Sequence, residues 1–319
     1  MATELSTSEQ ARLRKTLAAV CHDVGLDPTD AELIKYTMNA VYRLDSAGVV
    51  VRIAAGAAAA SRVDHVVRVA MMFTNLRAPT VPLAPGLDRP VHVDGWSASI
   101  WKLLPQPPDR AWAPIDLAGP LRAIHAIEDP QVPLPYWNPV AKARQRLSAL
   151  SDLDENDQQY LRGWAAQVGK PLEEIIERLR RWCDELDEAI DQVEWHLPQG
   201  VIHGDAHTGN LLVTPDGRAV LCDLDSVAVG PREWDLTPAA HGTARFGRNI
   251  GKYSAFAMEY GFDITAWPGW ETLRQVRELQ LVTSVIASLA GRPAVAHQLA
   301  HRLRSIFARD RAATWHRYG

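Results

Sequence analysis

The sequence predicts an α+β fold in two lobes, a small β-rich lobe followed by a larger helical one. Three observations predict it. Residues 33–37, 41–45 and 49–53 are short apolar, β-branched runs, with Ser46-Ala47-Gly48 as a tight turn between the last two. Residues 171–195 carry Leu172, Ile175, Leu179, Trp182, Cys183, Leu186, Ile190 and Val193 on one stripe at helical spacing, and Pro171 suits a first turn. Two apolar runs at 211–213 and 219–222 flank Thr214-Pro215-Asp216-Gly217, which is turn chemistry, so they read as a β-hairpin. A chain of 319 residues is long enough to give each lobe a core.

In chain order, residues 6–24 read as a helix, with Leu13, Leu17, Val20 and Val24 recurring at three- and four-residue steps and Ser6 or Ser8 as its cap. After the three strands, the alanine run at 57–60 leads into a helix or fills a loop, and 62–76 is helical. Strands follow at 80–84 and 91–104. Pro105-Gln106-Pro107-Pro108 is a stiff break and marks the lobe boundary. The division is therefore 1–104 and 105–319. Beyond it the texture is helical at 115–128, despite Pro120, and then at 139–150, 155–168 and 171–195. After the hairpin come helices at 232–245, 249–261, 269–290 and 293–310. His125 lies on an apolar face and reads as a packed core histidine. Asp184, Glu185, Asp187, Glu188 and Asp191 read as a solvated helix face, the alternative being a wall toward a cationic ligand. Most of the eleven tryptophans are expected in the core.

Composition narrows the function. Apolar residues make up 47% and charged residues 23%, with a formal charge of −4, so there is no basic field for nucleic acid. No run approaches membrane-spanning length and the N-terminal stretch lacks the apolar segment of a signal peptide. Cys21, Cys183 and Cys222 are too few and too scattered for a disulfide framework or a zinc pattern, which fits a reducing, cytoplasmic setting.

The chemistry concentrates in residues 201–225. Antiparallel pairing of the hairpin brings its open ends together, and these carry Asn210 and Asp223. Asp205 stands five residues before Asn210 in a Gly-rich polar loop. Two carboxylates and an amide can hold a hard cation and leave one carboxylate as a base. Asp-x-x-x-x-Asn, with a further Asp after a short hairpin, is the spacing of a kinase catalytic loop and its second metal ligand. The stretch His203-Gly204-Asp205, Asn210, Asp223, Gly230-Pro231 and Asp235-Leu236 resembles the aminoglycoside phosphotransferase and choline kinase family, whose fold is protein-kinase-like.

That resemblance implies an ATP-dependent phosphotransferase acting on an alcohol group. Asp205 would be the catalytic base, and Asn210 and Asp223 the ligands of Mg2+, which accompanies ATP as co-substrate. GTP remains open. His203 would orient the loop and Asp235 anchor it. Asp225 is placed to touch metal or substrate, or to bond its own turn. On the small lobe, Arg52 takes the position of the strand cation that meets nucleotide phosphates, Lys102, Leu103 and Leu104 fall at the adenine-binding hinge, and Asn39 shapes the first turn. The resemblance implies an aminoglycoside-like antibiotic or a related compound as acceptor and so a resistance role, with a metabolic sugar or amino-alcohol kinase as the alternative. Residues that bind the acceptor are not identified, nor is the oligomeric state.

Two departures stand out. Val69 occupies the aligned position of the helix Glu that pairs with the strand cation in kinases, and packing is expected to position Arg52 instead, the alternatives being that another acid serves or that the chain is a weakened kinase. The first turn, Thr37-Met38-Asn39-Ala40, has no glycine. Together they keep open a nucleotide-binding pseudokinase. A zinc hydrolase built on His203, Asp205 and His207 is the remote rival, since Gly204 and Gly209 disfavour the helix that would align the two imidazoles.

Overall fold

Alternation along one strand organises the first sheet. In β3 (Val49–Ala55), Val49, Val51 and Ile53 are buried on one face, so Arg52 points to the other. β3 pairs antiparallel with β2 (Ala40–Leu44) and with β5 (Trp96–Lys102). β1 (Glu32–Tyr36) and β4 (Val91–Val93) complete a five-stranded sheet in the order β1-β2-β3-β5-β4. The computed structural model describes residues 6–36 and 39–318. Of the first turn, Thr37 and Met38 lie outside the described residues. The apolar face of the sheet packs on α1 (Thr7–Val24) through Leu13, Leu17, Val20 and Cys21. Ser6 caps α1 by accepting from the Glu9 N–H at 3.2 Å, and Gly25 ends it with φ +70°. α2 (Ala57–Asn75), which begins in the alanine run, packs on β3 and β5.

By its contacts the chain forms two compact units, Met1–Leu134 with Thr208–Val227, and Pro135–His207 with Ala228–Gly319. The hairpin of β7 (Leu211–Val213) and β8 (Ala219–Leu221) therefore clusters with the first unit. The Leu221 N–H donates to the Pro79 carbonyl and the Val81 N–H to the Leu221 carbonyl, both at 2.9 Å, which ties it there.

Residues 80–84 make only isolated bridges, Thr80 to Leu221 and Leu83 to Trp101, and are not the expected strand. Residues 91–104 are two strands rather than one. Asp94 and Gly95, with φ +49° and +77°, form the two-residue turn that reverses the chain. The 115–128 segment resolves into a 3-10 turn, Pro114–Leu117, and α3 (Ala118–His125), in whose first turn Pro120 needs no donor.

The second unit is helical, with a two-stranded sheet of β6 (Gln199–Ile202) and β9 (Ala228–Pro231). Its helices are α4 (Pro139–Ser148), α5 (Glu155–Val168), α6 (Leu172–Asp191), α7 (Glu233–Arg245), α8 (Ile250–Tyr260), α9 (Trp270–Thr283) and α10 (Pro293–Phe307). Pro171 caps α6 instead of entering its first turn. α9 is shorter than the expected 269–290. The hydroxyls of Thr283 and Ser284 bond the Leu279 and Leu281 carbonyls at 2.8 and 3.0 Å, and the helix gives way to a 3-10 turn at Ile286–Ser288. α4, α6 and α9 pack together, and α5 packs on α10, where the Trp164 indole N–H donates to the Ala296 carbonyl. The acids of α6 lie on a solvated face, where Arg144 of α4 pairs with both Asp184 and Asp187. Among the described residues no helix is long and apolar enough to cross a membrane.

An ion cluster sits inside this unit. Glu278 of α9 is 2% exposed and accepts from Arg245 at 2.7 Å and from Arg274, with His241 at 3.8 Å. Burial raises the Glu278 pKa, but these three neighbours outweigh it and bring it down to about 2. Burial holds His241 near 4, so it is neutral at pH 7. A glutamate whose folded pKa is depressed stabilises the fold above its unfolded pKa and loses that contribution as pH falls toward the folded value. Glu278→Gln is expected to lower unfolding free energy by about 3–5 kcal/mol at pH 7, because it leaves the buried Arg245 without a carboxylate, whereas Arg274 keeps Glu271. Urea titrations should show the gap to wild type narrowing as pH drops from the ordinary glutamate range toward 2; a gap independent of pH would refute this role.

Candidate active site

In the first unit, the half-buried Arg52 is held by acids. Its guanidinium pairs with the Asp225 carboxylate, and Asp223 stands 3.5 Å away. Packing alone was the expected means of positioning Arg52, and the ion pair corrects it. The side chains lining the small cavity at Arg52 include Asn39, Arg62, Val66, Ser99 and Asp225. Arg62 and Val66 lie one turn apart on α2, so this helix offers Arg52 a cation and an apolar side chain. Val69 is fully buried and does not line the cavity. The acid that kinases place on the helix thus comes here from the chain just after the hairpin. Burial raises the Asp225 pKa, but Arg52, Asp223 and Arg62 outweigh it and hold the carboxyl below the usual range.

The hairpin itself brings the predicted metal ligands to neighbouring ends. Leu211 pairs with Leu221, and the Cys222 N–H donates to the Asn210 carbonyl at 2.9 Å, one residue before Asp223. Asp223 adopts φ +64°, a left-handed conformation that aspartate tolerates better than most residues. An amide oxygen and two carboxylates are hard donors and fit Mg2+ rather than a soft metal. Among the described residues no three His, Cys, Asp or Glu side chains converge as a zinc site would require.

At the expected hinge, the Lys102 N–H donates to the Pro82 carbonyl at 3.0 Å and the Leu103 N–H to the Gly48 carbonyl at 2.9 Å. Both donors are committed to the unit's own backbone. The Leu104 N–H has no backbone partner among the described residues.

The second unit holds the His203-Gly204-Asp205 loop. Asp235, fully buried in the first turn of α7, accepts from the His203 N–H at 2.6 Å and the Gly204 N–H at 2.7 Å. The Trp234 indole N–H donates to the Gly204 carbonyl at 2.8 Å, and Gly204 takes φ +84°, which favours glycine. His203 Nδ1 lies 3.3 Å from the Asp205 N–H. At Gly230 a side chain would meet Trp137 at 2.5 Å, so glycine lets β9 run close beneath the indole.

Asp205 is 31% exposed and has a partner that the sequence did not flag. Arg277 of α9, 10% exposed, donates to it at 2.9 Å, and His207 lies 3.7 Å away. Burial raises the Asp205 pKa, but Arg277, His207 and His203 outweigh it, so the carboxylate stays ionised below the usual range. Burial pushes His207 below the usual histidine value, which makes it neutral near pH 7. The signal for Arg277 was present: Arg274 and Arg277 fall among Leu273, Val276 and Leu279, at positions that helical periodicity buries. A buried arginine requires an acid, but the pattern does not say which one.

The model of the phosphotransferase enzyme family matches residues 36–276, and the chain belongs to that family. No curated protein matches. Solved structures agree on the fold. An amicoumacin kinase solved with AMP-PNP and Ca2+ superposes with a TM-score of 0.67 at 13% identity, over 96% of this chain and 98% of that one. An aminoglycoside phosphotransferase of Streptomyces rimosus gives 0.59 at 17%, over 84% and 98%. A choline/ethanolamine kinase family protein of Mesorhizobium loti gives 0.58 at 16%, over 94% of each. The chain is a phosphotransferase with a protein-kinase-like fold.

If Arg277 is the chief group that keeps Asp205 ionised against burial, Arg277→Gln raises the carboxyl pKa from its lowered value. The carboxyl carbon signal of Asp205, assigned with Asp205→Asn, should then titrate at higher pH than in wild type. An unchanged midpoint would remove Arg277 from this role.

Proposed function

We propose that this protein transfers the γ-phosphoryl group of ATP to the hydroxyl of a small molecule, with Asp205 as the base. The observation that carries this reading is the anchored, ionised Asp205 on a loop bound by Asp235, in a chain of the phosphotransferase family. An ionised carboxylate can accept the hydroxyl proton as the oxygen attacks phosphorus. His203 and Asp235 keep the loop in place. Asn210 and Asp223, aided by Asp225, would hold Mg2+, which when bound supplies positive charge to the phosphate oxygens. Arg52, waiting on Asp225 and Asp223, would meet those oxygens with its forked donors. Asn39 belongs to the same cavity. For the base, the Leu104 N–H and the carbonyls of residues 102 and 103 are the groups left to make contact, and nothing in them prefers adenine to guanine. As a functional division we keep the break at 104/105.

An aminoglycoside-like acceptor, and with it a resistance role, draws support from the antibiotic kinases among the neighbours. The charges around Asp205 pull against a polycation, as argued below.

Asp205→Ala should lower phosphoryl transfer about 10²- to 10⁴-fold while Mg-ATP still binds. Asp223→Ala should abolish the Mg2+ dependence of nucleotide binding measured by calorimetry. Full transfer by Asp205→Ala would sink the assignment. Asp225→Ala, which frees Arg52, is expected to raise the KM for Mg-ATP about tenfold; an unaltered KM would show that Arg52 needs no such partner.

A further inference from the structure

The reading above makes Asp205 the group that meets the acceptor hydroxyl, so the charges next to Asp205 are charges the acceptor meets. They are cationic. Arg277 donates to Asp205 at 2.9 Å and to the Gln280 side-chain oxygen at 2.6 Å. Arg146 of α4 donates to the Gln280 backbone carbonyl at 3.4 Å. Two guanidinium groups thus meet at one turn of α9. Arg146 is partly buried, and burial lowers its pKa against the pull of Asp205. A third, Arg248, lies across Gly242 of α7, with its Cδ 2.7 Å from where a side chain would begin. It is also partly buried, and its charge acts on His207 beside Asp205. His207 itself adds no charge at neutral pH.

The acids that might balance this group are engaged elsewhere. Glu278 serves Arg245 and Arg274, and Asp184 and Asp187 serve Arg144. Among the described residues no carboxylate pairs with Arg146 or Arg248. One carboxylate therefore stands against Arg277, with Arg146 on the same turn at Gln280 and Arg248 acting on the neighbouring His207. Partly buried cations in excess are costly, and an anion that arrives with a ligand offsets the cost. A polycationic acceptor would add to the excess.

We propose that the acceptor is an alcohol carrying its own anionic group, a carboxylate or a phosphate, which Arg146 and Arg248 hold while Asp205 meets the hydroxyl. This rests on the phosphotransferase reading. Forked guanidinium donors match both anions. The groups assigned to nucleotide phosphates, Arg52, Asn210 and Asp223, belong to the first unit, whereas Arg146, Arg248 and Arg277 come from helices and turns of the second. In the reaction the hydroxyl oxygen bonds to the γ-phosphorus, the bond from that phosphorus to the β,γ-bridging oxygen breaks, and ADP leaves. The hydroxyl proton passes to Asp205 and then to water.

The test uses the intact protein with Mg-ATP and a matched series: glucose, gluconate, glucose 6-phosphate, glucosamine and kanamycin. ADP release is followed, with Asp205→Ala as the blank. Gluconate or glucose 6-phosphate is expected to exceed glucose about a hundredfold in kcat/KM, with the two amines below glucose. Arg146→Gln is expected to lower the ratio of anionic to neutral kcat/KM about tenfold or more and to leave the KM for Mg-ATP within about twofold. An effect of Arg146→Gln confined to that KM would assign the cation to the nucleotide and overturn the inference. So would better turnover of glucosamine or kanamycin than of the anions, which leaves the phosphotransferase reading standing.

A second arm needs no turnover. With Mg-ADP saturating, gluconate, glucose 6-phosphate and sulfate should raise Tm in wild type and not in the Arg146→Gln/Arg248→Gln double variant. Stabilisation by these anions with no transfer to any acceptor would keep the anion site and overturn the phosphotransferase reading. No stabilisation by any of the three overturns the inference.

Discussion

The carboxylate of Asp235 is the constraint on which the candidate site depends. It is fully buried, and it takes two backbone N–H groups from successive residues of the His203-Gly204-Asp205 loop. A buried charge with two close donors is a strong and directional anchor. Because Asp235 lies in the first turn of α7, the loop inherits the position of that helix. The indole of Trp234 adds a third bond to the same loop, so its backbone is fixed from neighbouring residues of one helix. Asp205 follows directly, and the chain leaves it with little freedom to choose where its carboxylate points.

On that fixed loop, electrostatics decide the state of Asp205. Burial alone would protonate it more readily, and Arg277 reverses the outcome. The same logic recurs at Arg52, where Asp225 and Asp223 replace an acid that kinases place on a helix. In both cases a cation keeps an acid ionised, with exposures between a tenth and two fifths. Such pairs are strong enough to orient the groups, and open enough to exchange partners when a ligand brings phosphate. Glu278, at 2% exposure, belongs to the other kind of pair, whose contribution is to the stability of its unit.

Much of this was legible in the residues. The His203-Gly204-Asp205, Asn210 and Asp223 spacing is local, and a hairpin closed by Pro215-Asp216-Gly217 carries its own register. Alternation along β3 set Arg52 apart from its buried neighbours, and the family resemblance gave it a role at the phosphates. The Asp94-Gly95 turn is equally local, but Asp-Gly inside 91–104 is flanked by strand residues on both sides, so the run reads as one strand until the pairing of Val93 with Trp96 divides it. The partners of the charged side chains were not legible. Arg52 finds Asp225 across 173 positions of sequence, and Asp205 finds Arg277 across 72.

By itself, then, the sequence determined the family resemblance, the first three strands, the hairpin and most of the helices, and the residue types that carry the chemistry, because each rests on spacings within about one element. Tertiary structure alone decided which acid holds Arg52, which cation sets Asp205, and that Asp184 and Asp187 share Arg144 as a partner. Those outcomes depend on which helices pack side by side, and the charge next to an active group is set by neighbours in space that periodicity along the chain does not encode. The loop from Val201 to Asp225 shows both sides of this: its motif resembles that of a phosphotransferase family, and the groups packed around Asp205 gave it a cationic setting.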